Sequence, residues 1–142
     1  MFRRLIALLA VLLALTTAAA AQAYFPTPPD TPGDDGVAQA YAQHLSHVHV
    51  EGSGVVLKLL PDDTEGDRHQ RFIVRAPGGE RLLFAYNIDI APRIDRLRVG
   101  DGIRFAGEYI WNRKGGIVHW THHDPSGRHV GGYIDVDGRR YQ

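Results

Sequence analysis

The residues whose types could do chemistry are concentrated in one segment near the end of the chain, from His119 to His129. It holds four imidazoles and the carboxylate of Asp124 within eleven residues. Imidazoles titrate near neutral pH and bind transition metals, so a concentration of them can move protons or hold an ion. The segment directly follows a strand-like run, which predicts that it lies at a structured rim of the fold.

One hypothesis for this segment is a metal site, with zinc or copper as the expected ion. The candidate ligands are His119, His122, His123 and Asp124. In an extended strand, neighbouring side chains point to opposite faces, and His119 and His123 would stand roughly 13 Å apart at ~3.4 Å per residue. Zn–N bonds of about 2.0–2.1 Å cannot span that distance. A shared ion therefore requires the chain to bend after Thr121, or another strand to contribute His69 or Glu108.

A second local chelator pattern is His47-Val48-His49. In a strand, these alternate histidines would sit about 7 Å apart on one face. The competing explanation for all of these side chains is that scattered histidines simply face solvent.

Acid–base chemistry on an ester or phosphoester is another hypothesis. The catalytic candidates are His69, His119 and Arg71. Two histidines can give and take protons, while an arginine fork steadies a developing negative charge. A ladder of Arg, His and Glu pairing across strands would produce the same pattern without any catalysis.

The hypothesis that requires least of the sequence is a binding module for a small anionic or sugar-like (glycan) ligand. Its candidate binding residues are Arg68, His69, Arg71, Asn87 and Glu108. In extended strands, His69, Arg71 and Asn87 project away from the apolar residues that alternate with them. The resulting polar face is typical of OB-type barrels that bind oligosaccharides or oligonucleotides.

The elements that must position these residues follow from the hydrophobic period. Asp34-Asp35-Gly36 precedes a short predicted helix from Val37 to about Ser46, with one apolar stripe. The period then changes to two, which predicts strands over 48–60, 68–75, 81–88, 102–111 and 117–123, and a last hairpin over 133–141 that turns at Asp137-Gly138. Gly52 and Gly54 suggest a bend or bulge in the first strand. We therefore predict a mainly β fold: a small OB-type five-stranded barrel with one short N-terminal helix and a C-terminal hairpin.

The N-terminus is typical of a secretory signal peptide over residues 1–23. Arg3 and Arg4 precede an apolar run, and Ala21-Gln22-Ala23 offers a small-x-small cleavage site, with the cut expected after Ala23. A Pro-rich spacer, 24–36, and a single domain, 37–142, follow. We expect a periplasmic or secreted protein, monomeric, with no membrane anchor after cleavage.

Charge limits the range of partners. Removing residues 1–23 removes two arginines and no acidic residue, so 14 Lys+Arg remain against 16 Asp+Glu, a net charge of −2. This balance gives no strong signal for nucleic-acid binding driven by bulk charge. The chain has no cysteine, so its stability must come from an ordinary apolar core.

Several strings resemble a family of small exported bacterial proteins known only as domain of unknown function 3465. The strings are Glu51 to Val56, Asp67 to Phe72, Asn87 to Arg93, Gly107 to Tyr109 and Gly116 to Pro125. The resemblance covers roughly Val48 to Gln142. It implies that the family's signature includes Arg68, His69, Arg71, Asn87, Glu108, His119, Trp120, His122, His123 and Asp124, and it implies no activity.

Overall fold

The computed structural model describes residues 36–142. The predicted signal peptide and nearly all of the predicted spacer lie outside these residues. The elements are α1 (Gly36–Ala42), β1 (Ser46–Leu59), β2 (His69–Arg75), β3 (Arg81–Asn87), β4 (Gly102–Ile110), β5 (Ile117–His119), β6 (Tyr133–Val136) and β7 (Arg139–Tyr141). No helix in this part of the chain has the length and apolarity needed to cross a membrane.

Five strands close into a barrel because β1 is long enough to serve two partners. Its first part, up to Val55, pairs antiparallel with β4, and its last part, from Val55, pairs antiparallel with β2. The remaining neighbours are β2 with β3, β3 with β5 in parallel, and β5 with β4. The β6–β7 hairpin adds to β4 outside this ring. The predicted mainly β, OB-type barrel with one short helix and a C-terminal hairpin is confirmed.

Alternate residues of the strands fill the barrel. Phe72 stacks on Phe84 at 5.0 Å between ring centroids, and Phe105 meets Phe84 edge-on at 4.8 Å. The β3–β4 connection contributes the buried Ile94, whose backbone N–H and C=O both bond to the side-chain amide of Gln70. This reciprocal pair satisfies a buried polar side chain, as burial requires.

Gly52 and Gly54 do not form the predicted bulge. The register irregularities of β1 lie between Ser46 and Val48 and between Val56 and Lys58. The glycines serve close packing instead, because a Cβ on Gly54 would come within 2.4 Å of Val74 Cγ1. The strand still bends here, since it changes its partner from β4 to β2 at Val55.

The fifth strand is shorter than predicted, ending at His119 and not at His123. Trp120 has a φ of 53°, in the left-handed region, so the extended conformation stops there. The chain then crosses β4 so closely that a Cβ on Gly107 would meet His119 O at 2.6 Å and Thr121 Cγ2 at 2.6 Å. This crossing breaks the strand and directs the following residues across the barrel wall.

The helix is also shorter than predicted and ends at Ala42, not near Ser46. His44 has a φ of 55°, which turns the chain out of the helix before β1 begins. The predicted apolar stripe is nevertheless present: Val37 is buried, and Tyr41 and Leu45 pack partly buried against the core.

Candidate functional site

The feature with the most chemical potential is a His–Glu–His cluster on the outside of the barrel, formed by His47, Glu108 and His119. Oε1 of Glu108 lies 2.9 Å from Nδ1 of His47 and 3.1 Å from Nε2 of His119. An ionised carboxylate can only accept hydrogen bonds, so each of these ring nitrogens carries the proton. Nε2 of His47 and Nδ1 of His119 are therefore left for other partners.

Three separate strands place this cluster. His119 faces Glu108 directly in the β4–β5 register. His47 occupies the irregular step of β1 between Ser46 and Val48, with a φ of 60°, and this turns its side chain toward β4. His47 is the most accessible member, with 74% of its side chain exposed, against 23% for Glu108 and 29% for His119.

The electrostatics of the cluster favour a charged Glu108. Partial burial raises the pKa of Glu108, but the hydrogen bonds from His47 and His119 outweigh burial and hold it below its ordinary value of 4.5. The carboxylate is thus a permanent acceptor at neutral pH. It fixes the orientation of two imidazole rings.

Beyond the cluster, the histidine rim (His119–His129) is arranged around the ring of Trp120. His129 stacks on this ring at 4.1 Å between centroids with an interplanar angle of 22°, and His122 lies at 5.1 Å. His122 is buried, and its Nδ1 bonds to the carbonyl oxygen of His123 at 2.8 Å. The rim is therefore a packed structure and not a flexible tail.

Asp124 closes the loop that carries His129. Its carboxylate accepts hydrogen bonds from the Ser126 hydroxyl at 2.7 Å and from three backbone N–H groups, those of Ser126, Arg128 and His129, at 2.7–2.8 Å. The Ser126 hydroxyl contributes most, and together these donors hold the pKa of Asp124 well below its ordinary range although burial opposes them. The role of Asp124 in this arrangement is to fix the loop.

The predicted metal ligands are not gathered around one point. His119 is bound to Glu108, His122 to a backbone carbonyl, and Asp124 to its own loop. Over residues 36–142, no group of three His, Cys, Asp or Glu side chains is arranged to hold a metal ion. A zinc or copper site at His119, His122, His123 and Asp124 stays a prediction that this geometry does not support.

Most of the predicted ligand-binding residues on or next to β2 and β3 already have partners within the protein. Arg68 pairs with Asp89 at 2.7 Å, and Nδ1 of His69 lies 2.8 Å from Asp67 O. Asn87 uses its side-chain oxygen to cap the Asp89 backbone N–H.

His69 and His119, the proposed acid and base, are not on adjacent strands. His69 faces Asn87 on β3, and β3 lies between β2 and β5. Two interstrand spacings of about 4.8 Å therefore separate the two strands that carry them.

Arg71 has a different position, because it shares a row with the cluster. When the β3–β5 register is continued by one residue beyond Phe84 and Val118, the strand registers align five residues across the barrel wall. We call them the outer row: Arg71, Ala85, His119, Glu108 and His49. Nε of Arg71 donates to Pro61 O at 3.1 Å, which leaves the terminal N–H groups of the guanidinium available. In this row, Ala85 lies between Arg71 and His119.

Sequence reasoning placed His47 only in a chelator with His49 and missed its bond to Glu108. The two partners are 61 positions apart, and they meet only because β1 pairs with β4 and is irregular at His47. The sequence did suggest that Glu108 could join the histidines from another strand. In the structure, Glu108 forms a hydrogen bond with His119 from the neighbouring strand.

Comparison with known proteins adds a family but no activity. The family model described as "Protein of unknown function (DUF3465)" matches residues 19–142. No curated protein matches the chain.

Proposed function

Because the chain belongs to the family described as DUF3465, whose function is unknown, its role has to be inferred from the site, and we propose that this domain is a binding module for a sugar-like ligand that carries an anionic group. The observation that carries this proposal is the outer row. It places a carboxylate held by two imidazoles on one side of Ala85 and a guanidinium on the other.

The His–Glu–His cluster suits hydroxyl groups. The second oxygen of Glu108 accepts hydrogen bonds, and the remaining nitrogens of His47 and His119 can accept or donate according to their protonation. A hydroxyl both donates and accepts, so neighbouring sugar hydroxyls match such a mixture. Because Glu108 is ionised, a strongly anionic group would be repelled at this point of the row.

Arg71 suits the anionic part of the ligand. Its guanidinium fork matches a carboxylate in a planar, bidentate fashion, and its bond to Pro61 O limits the conformations of the side chain. Its strand lies about 10 Å from that of His119, two strand spacings away. The ligand must therefore be extended, which favours an oligosaccharide of acidic sugars over a single small anion.

Calorimetric titration with oligogalacturonate, and with its fully methyl-esterified neutral form, tests the proposal. We expect the acidic form to bind to the wild type. The substitutions Arg71→Gln, Glu108→Gln and His119→Ala should each lower the affinity for it about tenfold or more, equivalent to about 1.4 kcal/mol. Arg104→Gln, which removes an exposed charge from the same strand as Glu108, is the control and should bind normally. Equal affinity of all four variants, or no binding of the acidic form by the wild type, would contradict the proposal.

The samples of protein and oligogalacturonate from this titration also distinguish binding from the second candidate function, acid–base hydrolysis. An imidazole oriented by a carboxylate, as His119 is by Glu108, is the arrangement that general base catalysis uses. Cleavage products that form with the wild type but not with His119→Ala would identify a hydrolase. An intact ligand recovered after long incubation supports a binding module.

A further inference from the structure

A second site is suggested by a cleft at the C-terminal hairpin, away from the outer row. The β3–β4 connection forms one wall with Ile94 and Arg96, and the β6–β7 hairpin forms the other with Val136, Asp137, Arg139 and Tyr141. Its volume of about 320 Å³ lies at the lower end of the range of ~300–1,000 Å³ typical of small-molecule sites. Val136 faces Ile103 on β4, five residues or about 17 Å along the strand from Glu108.

The two arginines of this cleft lack carboxylate partners, unlike several others in the described chain. Arg68, Arg93 and Arg140 form ion pairs at 2.7–2.9 Å. Neither Arg96 nor Arg139 forms an ion pair within residues 36–142, and the guanidinium of Arg139 instead lies 4.9 Å from the centre of the Tyr141 ring. Both guanidinium groups can therefore bind an anion without breaking an existing pair.

The apolar residues that line the cleft belong to the core. Ile94, Val136 and Tyr141 are all buried, at 1%, 6% and 8% exposure. The Tyr141 hydroxyl has no hydrogen-bond partner in the described part of the chain, so it is available as a neutral donor. A cleft that combines apolar side chains with a few polar groups is the usual form of a site for a small organic ligand.

The charge balance selects the class of ligand. Asp137 also lines the cleft, so two guanidinium charges and one carboxylate leave a net charge of +1. We propose that this cleft binds a small organic monoanion, a carboxylate attached to an apolar body. Arg96 and Arg139 hold the carboxylate, and the apolar body lies in the part of the cleft that Ile94, Val136 and Tyr141 line. A phosphate dianion is disfavoured because Asp137 repels its second charge.

Amide chemical-shift titrations of the protein with benzoate, its neutral isostere benzamide, and inorganic phosphate test this inference. We expect saturable shifts with benzoate at the β6–β7 hairpin, and at least tenfold weaker binding of benzamide and phosphate. Arg96→Gln and Arg139→Gln should each weaken benzoate binding at least tenfold. Asp137→Asn should strengthen benzoate binding and allow phosphate to bind.

Arg113→Gln is the matched control, because it removes one arginine from the loop beyond the opposite end of β4 and should leave benzoate binding unchanged. The inference is overturned if benzoate gives no saturable shifts, or if benzamide or phosphate binds as well as benzoate. It is also overturned if Arg96→Gln binds benzoate like the wild type. Because these variants lie outside the outer row, the outcome is independent of the sugar-binding proposal.

Discussion

A single carboxylate oxygen organises the candidate site at the scale of residues. Oε1 of Glu108 bonds to two imidazoles, one 61 and one 11 positions away along the chain. Removing the carboxylate would leave both rings without the acceptor that fixes their orientation. The stabilisation that this acceptor gives is therefore linked to its ionisation.

Glu108→Gln is expected to lower the stability of the protein in a pH-dependent way. The folded-state pKa of Glu108 lies below 4.5, so its ionisation contributes stability that is fully present above pH 4.5 and is lost as the pH falls through the folded pKa. Thermal unfolding from pH 3 to pH 7 should show a melting-temperature gap between wild type and variant that is present above pH 5 and closes below pH 4.5. Glu65→Gln, in an exposed loop, is the control and should show no such gap. A gap that persists unchanged at pH 3 would argue against this account.

At the scale of elements, the site depends on how closely the chain after β5 crosses β4. Gly107 provides the space, since a Cβ there would meet the carbonyl oxygen of His119. Gly132 provides space for a second close approach, because a Cβ there would lie 2.3 Å from Ala106 O and 2.3 Å from Trp120 O. Backbone atoms cannot yield as a flexible side chain can, so a larger residue at either position must displace the backbone.

Gly107→Ala should therefore destabilise the domain by about 1–3 kcal/mol, the usual cost of overpacking. The displaced segment includes His119, so the amide signals of His119 to Thr121 should shift as well. Gly102→Ala is a close control on the same strand, because a Cβ there meets nothing within 4 Å. We expect that variant to change the free energy of unfolding, measured in urea, by less than about 1 kcal/mol. Equal effects of the two substitutions would contradict the importance of the crossing.

The same crossing explains what the sequence could and could not predict. Alternation of apolar residues is a local property, so it predicted where the strands lie, and the alternating residues Phe72, Phe84 and Phe105 are buried in the barrel. The left-handed φ of Trp120 has no local cause in the residue type, because bulky residues avoid that region. It occurs where the neighbouring residues His119 and Thr121 pack against Gly107, which is remote in sequence. The apolar period therefore could not predict the exact strand boundaries or the partner of His47.

At the scale of the whole molecule, closure of the barrel unites the candidate site with the core. β1 contributes His47 to the site and Val56 to the core, and β4 contributes Glu108 and Phe105. Successive residues of a strand face opposite sides, so each strand that orders the interior also fixes a side chain outside. The positions of the outer-row side chains therefore depend on the packing of the aromatic core behind them.

Phe84→Ala should therefore disturb the site although the ring lies inside the barrel. Phe84 contacts Phe72 of β2 and Phe105 of β4. Its loss therefore leaves a cavity inside the barrel, between β2 on one side and β4 on the other. We expect a loss of about 3–5 kcal/mol, a large part of the ~5–15 kcal/mol that stabilises a typical domain. Urea unfolding measures this loss, with Val130→Ala, at a side chain 67% exposed, as a control expected within about 0.5 kcal/mol of wild type. If Phe84→Ala costs less than about 1 kcal/mol, the walls of the barrel do not share one core, and the site must be held by its local hydrogen bonds instead.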